Sequence, residues 1–491
     1  MATSSGALAR STIPGNFGRV RDERHRLRWP TFDMPTRTRF TSLGSCIATA
    51  TLAVTLVACR TSGAPEPAMD PTGSWEGTFT LGGQRHAMQL EVIADSAHSS
   101  AYVDVPDQYA THYAVSNLEI GAHEMSFAFP SVLPPAGFGG RIERGRIVGR
   151  AWAPLDRDTV RGQFELWRRP RPTLPYRTID VQFRNGAVPL RGTIYLPSRP
   201  ARAPAVVFLH GSGPQTRESY LRFFADHFAR HGIASIVYDK RNTERTDLPP
   251  WERGAGSFTE LASDAAAAAN VLRSRSDVDG ARIGFWGLSQ GAWLAPMAAA
   301  RAGGAAFVVL ISGGGVTPAE QELYDDEFKL RELDEPQAVI DSALSLLKDA
   351  DQYIRTNRDE EWNTLQTHLA AVRSRPWFPL LDRFPLILPR EAGAWKRGPA
   401  DLDYDPRPAL RALGVPALVI LGERDPLTPT AETARRIEAA MRDAGNRNVT
   451  IRVIPGADHG LLVPSGLRTT WFEQRPASGW VDEMTAWLQR R

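Results

Sequence analysis

Gly287-Leu288-Ser289-Gln290-Gly291 decides how this chain is read. Before it stands Arg282-Ile283-Gly284-Phe285-Trp286, a short apolar run that predicts a buried strand. After it comes Ala292-Trp293-Leu294-Ala295-Pro296-Met297-Ala298-Ala299-Ala300, which predicts mainly helix. Strand, Gly-x-Ser-x-Gly, helix is the context in which this motif makes a sharp turn around a reactive serine. The turn has no room for bulky neighbours, so Gly287 and Gly291 flank Ser289. It lifts the serine hydroxyl above the sheet edge. It also brings the Gln290 backbone N–H, at a helix N-terminus, toward any oxyanion formed at the serine. Ser289 is the candidate nucleophile; a purely structural turn is the alternative.

Outward from this turn, strand and helix patterns alternate. Residues 178–183 and 190–196 predict an antiparallel pair around Arg184-Asn185-Gly186. Residues 205–209 are continuously apolar, as in a strand buried on both faces. Residues 220–230 carry Leu221, Phe224, Ala225 and Phe228 on one helical face. A strand at 233–238 follows, then a helix at 257–273 with Ser257 as N-cap and Glu260 completing a capping box. Further strands are expected at 306–312, 415–421 and 449–454, with helices at 430–444 and near 481–488. The pattern predicts a doubly wound, mainly parallel α/β sheet over 178–491, with reactive residues at the strand C-terminal ends. Residues 316–404 interrupt it with helical and then aromatic, proline-rich sequence. An insertion between two core strands reads as a cap over the site, with a peripheral subdomain as the alternative.

Residues 70–168 differ in kind. Short alternating runs separated by turn residues, among them 74–81, 88–93, 100–105, 114–120, 125–129, 141–152 and 159–167, predict a small antiparallel sheet, curled or closed. Trp75 and Trp152 are expected in its core, and His86, His98, His112 and His123 on its surface or in loops. Residues 169–177 are rich in proline and arginine and read as a linker.

Two later stretches complete the chemistry. Gly422-Glu423-Arg424-Asp425 closes a strand, and Gly456-Ala457-Asp458-His459-Gly460 forms a loop. A serine hydroxyl needs a base within hydrogen-bond reach, which His459 can be. Asp425 would hold the other ring nitrogen and stabilise the imidazolium. Glu423 and Asp458 are the competing carboxylates. With His210-Gly211-Ser212-Gly213-Pro214, these motifs together resemble an α/β-hydrolase. Within that fold the chain is similar to EstD-type bacterial esterases and serine aminopeptidase-like hydrolases. The resemblance covers about residues 178–491 and implies the order Ser289, Asp425, His459. It also implies an oxyanion hole formed by the backbone N–H groups of Ser212 and Gln290, with Gly211 shaping the loop. His210 is expected to support that loop. Tyr238-Asp239-Lys240-Arg241-Asn242 resembles a family loop that usually continues with glycines, where Asn242 and Glu244 stand here. Arg241 reads as a structural ion pair or as a contact to an acidic substrate.

The N-terminus, residues 1–59, reads as a targeting segment. A basic stretch around Arg37 and Arg39 precedes the apolar run 46–59, too short to span a bilayer comfortably. Leu56-Val57-Ala58-Cys59 resembles a bacterial lipobox, which implies cleavage before Cys59 and a lipid on its sulfur. Met34 is a second candidate start. Residues 60–69 would be a tether, and the expected location is the cell envelope, at the periplasmic face of the outer membrane; an ordinary signal peptide with an incidental cysteine, giving a secreted or periplasmic protein, is the alternative.

Composition narrows the classes. The 491 residues suffice for two domains, the net charge is only +3, and only Lys240, Lys329, Lys348 and Lys396 are lysine. No basic run interleaved with aromatics follows the N-terminus, which argues against nucleic-acid binding. Cys46 and Cys59 are the two cysteines, in no metal-ligand spacing, so neither metal nor cofactor is expected. The expected activity is hydrolysis of a small-molecule carboxylic ester through an acyl-enzyme. The alternatives are a peptidase or amidase, acyl transfer to an envelope acceptor, and a binding lipoprotein on a hydrolase scaffold. Oligomeric state is open.

Overall fold

The computed structural model describes residues 69–491 except 95–97, 131–134, 156–157, 200, 250–251, 382–385, 387, 393–394, 396–398 and 467–468. The targeting segment with Cys46 and Cys59, the Met34 start and nearly all of the tether lie outside the described residues.

The first sheet has nine strands: β1 (Gly73–Leu81), β2 (Gln84–Ala94), β3 (Ser99–Val105), β4 (Ala110–Ala114), β5 (Ser116–Ile120), β6 (Glu124–Phe129), β7 (Ala136–Glu143), β8 (Arg146–Leu155) and β9 (Asp158–Arg169). Their order is β4-β3-β2-β1-β9-β8-β7-β6-β5, antiparallel throughout. Side chains alternate across a strand, so one face gathers Trp75, Phe79, Met88, Leu90, Phe127, Phe138 and Phe164 into a core.

The structure differs from four expectations here. The 114–120 run is split between two strands, β4 and β5. The 141–152 run is a hairpin, turning at Gly145, whose φ of +81° suits glycine. His86 is buried: it alternates inward with Met88 and Leu90 and stacks on Phe79 at 4.7 Å. Trp75 is in the core, whereas Trp152 is half-buried. Its indole lies over Gly137, where a Cβ would come within 2.4 Å of the ring. The glycine-rich strand β7, which no propensity argument favours, is thereby covered by an aromatic ring.

The second sheet is built from β10 (Tyr176–Asn185), β11 (Val188–Pro197), β12 (Ala203–Leu209), β13 (Ala234–Tyr238), β14 (Val278–Leu288), β15 (Val308–Ile311), β16 (Ala417–Gly422) and β17 (Val449–Ile454). Its order is β10-β11-β13-β12-β14-β15-β16-β17, with the last six strands mutually parallel. Helices α1 (Leu221–Arg230), α2 (Phe258–Arg273) and α3 (Gln290–Arg301) lie between strands, as do α8 (Arg407–Arg411) and α9 (Thr430–Asp443); α10 (Trp480–Gln489) closes the chain. All seven β12 residues are buried because both faces are covered. Val207 and Leu209 pack toward α2, α3 and α9, and Val206 and Phe208 toward α1 and α10. The Ser257–Glu260 capping box is present at the start of α2, with Ser257 N donating to Glu260 Oε2 at 2.9 Å.

Between β15 and β16 the chain inserts α4 (Pro318–Glu332), α5 (Gln337–Thr356), α6 (Asp359–Val372) and the short α7 (Pro399–Leu402). These helices have their own core around Leu346, Tyr353, Leu369 and Trp395. They form the helical insertion expected of a cap.

Candidate active site

Chain order reverses between β12 and β14. From β12 the sheet grows to one side through β13 and then to the other from β14. Loops leaving the two strands in opposite directions open a crevice there. The register places Leu209 opposite Gly287, so Ser212 and Ser289 follow neighbouring strand ends.

At the end of β14 the chain turns sharply. Ser289 takes φ +56° and ψ −118°, a conformation of the kind that costs on the order of 1–3 kcal/mol and persists only when its surroundings enforce it. They do so here. A Cβ on Gly287 would stand 2.0 Å from Gly291 O, and one on Gly291 would stand 2.4 Å from Leu209 O. Ser289 N donates to Ile311 O at 2.9 Å, tying the turn to β15. At Gly211 a Cβ would touch Ser289 Cβ at 3.6 Å, so glycine there leaves the serine uncovered.

Asp425 and His459 meet across the neighbouring strand ends. Gly422 of β16 and Ile454 of β17 are register partners, and the loops beyond them converge. His459 Nδ1 lies 2.9 Å and 3.0 Å from the two Asp425 carboxylate oxygens. A carboxylate only accepts, so Nδ1 carries the proton and Nε2 is left with its lone pair. Asp425 is 1% exposed and is itself oriented by Leu427 N–H and Thr428 N–H, both donating to Oδ1. Burial alone would lower the His459 pKa. The carboxylates of Asp425, then Asp458 and Asp325, outweigh it and raise the imidazole above its ordinary value. Nε2 is buried and has no hydrogen-bond partner among the described residues. Ser289 Oγ likewise makes none among them; such contacts commonly tighten only when substrate binds.

The competing carboxylates are placed elsewhere. Glu423 accepts from Gly456 N–H. Asp458 accepts from Gly460 N–H, Leu462 N–H and the Gln474 amide, and so shapes the loop that carries His459. His210 is buried against the Tyr238 carbonyl, and burial pushes its pKa down to about 4. Arg241 is held by both Asp264 oxygens and by Glu260, a buried structural ion pair. From the cap, Tyr324 Oη donates to Asp425 O at 3.4 Å, which brings α4 against the acid loop.

One neighbour of the elbow is not among the expected site residues. Lys240 Nζ donates to Gly211 O and to Gln290 Oε1, each at 3.0 Å. Its position two residues beyond β13, at the strand end, is the one sequence signal for it.

Residues 206–468, more than half of the chain, match the alpha/beta hydrolase family. The chain belongs to that family. Among curated proteins, the quorum-quenching protein AidA of Acinetobacter baumannii is 31% identical over 118 residues, 24% of this chain. The chain spans 38% of that relative's length. Among solved structures, an esterase from Pyrobaculum calidifontis is 19% identical, covering 64% of this chain and 85% of its own, with a TM-score of 0.39. The alpha/beta hydrolase GrgF from Penicillium sp. sh18 is also 19% identical, covering 65% and 99%, with a TM-score of 0.40.

Proposed function

We propose that the protein is a serine hydrolase of carboxylic esters with Ser289 as nucleophile, His459 as base and Asp425 as its orienting acid. One observation carries the reading: a part-buried His459, gripped at Nδ1 by both oxygens of Asp425 and with a buried Nε2 unpartnered among the described residues, at the same sheet edge as a strained serine turn.

In the first half-reaction Ser289 Oγ bonds to the ester carbonyl carbon as its proton passes to His459 Nε2. The carbonyl electron pair moves to oxygen, where the N–H groups of Ser212 and Gln290 receive it. Collapse breaks the bond to the leaving alkoxide, which takes the proton from His459. Water then attacks the acyl-enzyme, His459 again serving as base, and the acid leaves with Ser289 restored. The imidazolium formed in each half-reaction is stabilised by the Asp425 carboxylate. Small and medium acyl groups are the proposed substrates.

A panel of p-nitrophenyl esters beside a panel of aminoacyl arylamides tests the bond type. The reading expects turnover of esters, with a burst of p-nitrophenol matching the enzyme concentration. Arylamide turnover exceeding ester turnover would instead make the protein a peptidase or amidase.

We also propose export and lipid attachment at Cys59, on the strength of the Leu56-Val57-Ala58-Cys59 motif. Labelled palmitate should enter the wild-type chain and be lost in Cys59→Ala; equal labelling of both would refute the anchor.

A further inference from the structure

We propose that Lys240 is a positioning residue whose ammonium clamps together the two backbone segments that form the oxyanion hole. This rests on the serine-hydrolase reading above. The Gly211 carbonyl that Lys240 holds belongs to the Gly211–Ser212 peptide. In a planar trans peptide the C=O and N–H point in opposite directions, so fixing the Gly211 oxygen fixes where the Ser212 N–H points. The other acceptor is the side chain of Gln290, the residue whose own N–H opens α3 behind Ser289. A single cation therefore joins the loop after β12 to the nucleophile turn after β14. A positive charge on the Gly211 oxygen also polarises that peptide and makes the Ser212 N–H a stronger donor.

The surroundings indicate a functional rather than a packing role. Lys240 is 5% exposed, and no carboxylate pairs with it among the described residues. Its neighbours Asp239 and Arg241 are committed to Arg217 and to Asp264 with Glu260. From the end of β12, His210 faces it as a neutral ring. From the elbow it meets the uncharged Gln290 amide, and the Gln215 carbonyl takes its backbone N–H. A buried charge held only by neutral acceptors is costly, and an apolar side chain of similar length would fill the space without that cost. Burial accordingly pulls the ammonium down to about 8. The clamp is charged at neutral pH and discharges in mildly alkaline solution.

The test uses the full chain and its best p-nitrophenyl ester, comparing wild type with Lys240→Met, Lys240→Arg and Ser289→Ala across pH. The expected loss in Lys240→Met is on the order of a hundredfold in kcat, the effect of one oxyanion donor, with KM nearly unchanged. Wild-type kcat should fall as pH rises past about 8. That limb should vanish in Lys240→Met and move to higher pH in Lys240→Arg, whose guanidinium stays charged. If Lys240→Met fails to fold, the limb in Lys240→Arg still decides. Near-wild-type kcat in folded Lys240→Met, or an alkaline limb unmoved in Lys240→Arg, overturns the clamp. A wild type no more active than Ser289→Ala overturns the serine-hydrolase reading, and the clamp with it.

Discussion

The sheet of β1–β9 and the sheet of β10–β17 both bury aromatic and aliphatic cores, yet only one of them brings reactive groups together. In the antiparallel sheet successive strands run in opposite directions, so its loops are short hairpins divided between two ends. Along β2 the buried residues alternate with exposed ones, and the sheet has a single core face. In the parallel sheet six strands end at the same edge. The loops after β12, β14, β16 and β17 therefore converge, which is where Ser212, Ser289, Asp425 and His459 lie. Strand direction, more than composition, separates the supporting region from the reactive one.

The antiparallel sheet still touches the chemistry from behind. Phe472, thirteen residues past His459, is buried in the core of β1–β9. His86 Nε2 donates to the Phe472 carbonyl at 2.9 Å, and the Gln108 amide donates to the Trp471 and Gln474 carbonyls. Gln474 in turn donates to Asp458 Oδ2, within the histidine loop. Tyr109 Oη donates to Leu461 O and accepts from Trp480 Nε1. The first sheet and its β3–β4 connection thus grip the chain on the C-terminal side of the proposed base, at Leu461, at 471–474 and at Trp480.

If reaction and support divide in this way, substitutions in the two regions should fail differently. Ser289→Ala should lower kcat for ester hydrolysis on the order of a millionfold while leaving thermal unfolding by circular dichroism nearly unchanged. Asp425→Asn should cost about ten-thousandfold, because the amide imposes the wrong tautomer on His459; initial rates on the same ester measure it. Phe472→Ala should act mainly on stability. Removing a buried phenylalanine costs about 3–5 kcal/mol, read by urea titration, and kcat should fall far less than in Asp425→Asn. A kcat loss as large as that of Asp425→Asn would erase the distinction between the two sheets. Tyr109→Phe leaves Leu461 O and Trp480 Nε1 without their shared hydroxyl and should cost about 1–2 kcal/mol by the same titration. The finest effect is a shift in pH profile. His459 must be neutral to accept a proton, and its pKa is raised, so kcat/KM of wild type should fall as pH drops through a value above the ordinary histidine pKa. In Asp425→Asn that acid limb should move to lower pH.

Much of this division is legible in the sequence for physical reasons. Continuous burial of 205–209 and alternation along 88–93 distinguish a strand covered on both faces from one covered on a single face, and both appear as such. The Ser257–Glu260 capping box marks the start of α2 because a local hydrogen-bond pattern needs no tertiary information. The glycine spacing around Ser289 is legible because backbone atoms leave no alternative at 287 and 291. Features that depend on distant partners were hidden. His86 reads as one scattered histidine until Phe79 and the Phe472 carbonyl are beside it. Strand β7 is too rich in glycine to read as a strand without Trp152 over it. Lys240 shows only its strand-end position in sequence, since its acceptors on Gly211 and Gln290 lie 29 and 50 residues away.

The most direct test is covalent labelling of the wild-type chain with a fluorophosphonate, followed by intact-mass and peptide mass spectrometry. One phosphonyl adduct per chain is expected, located on Ser289, absent in Ser289→Ala and formed far more slowly in Asp425→Asn. A folded wild type that takes up no adduct, or takes it up on a residue other than Ser289, would contradict the serine-hydrolase reading.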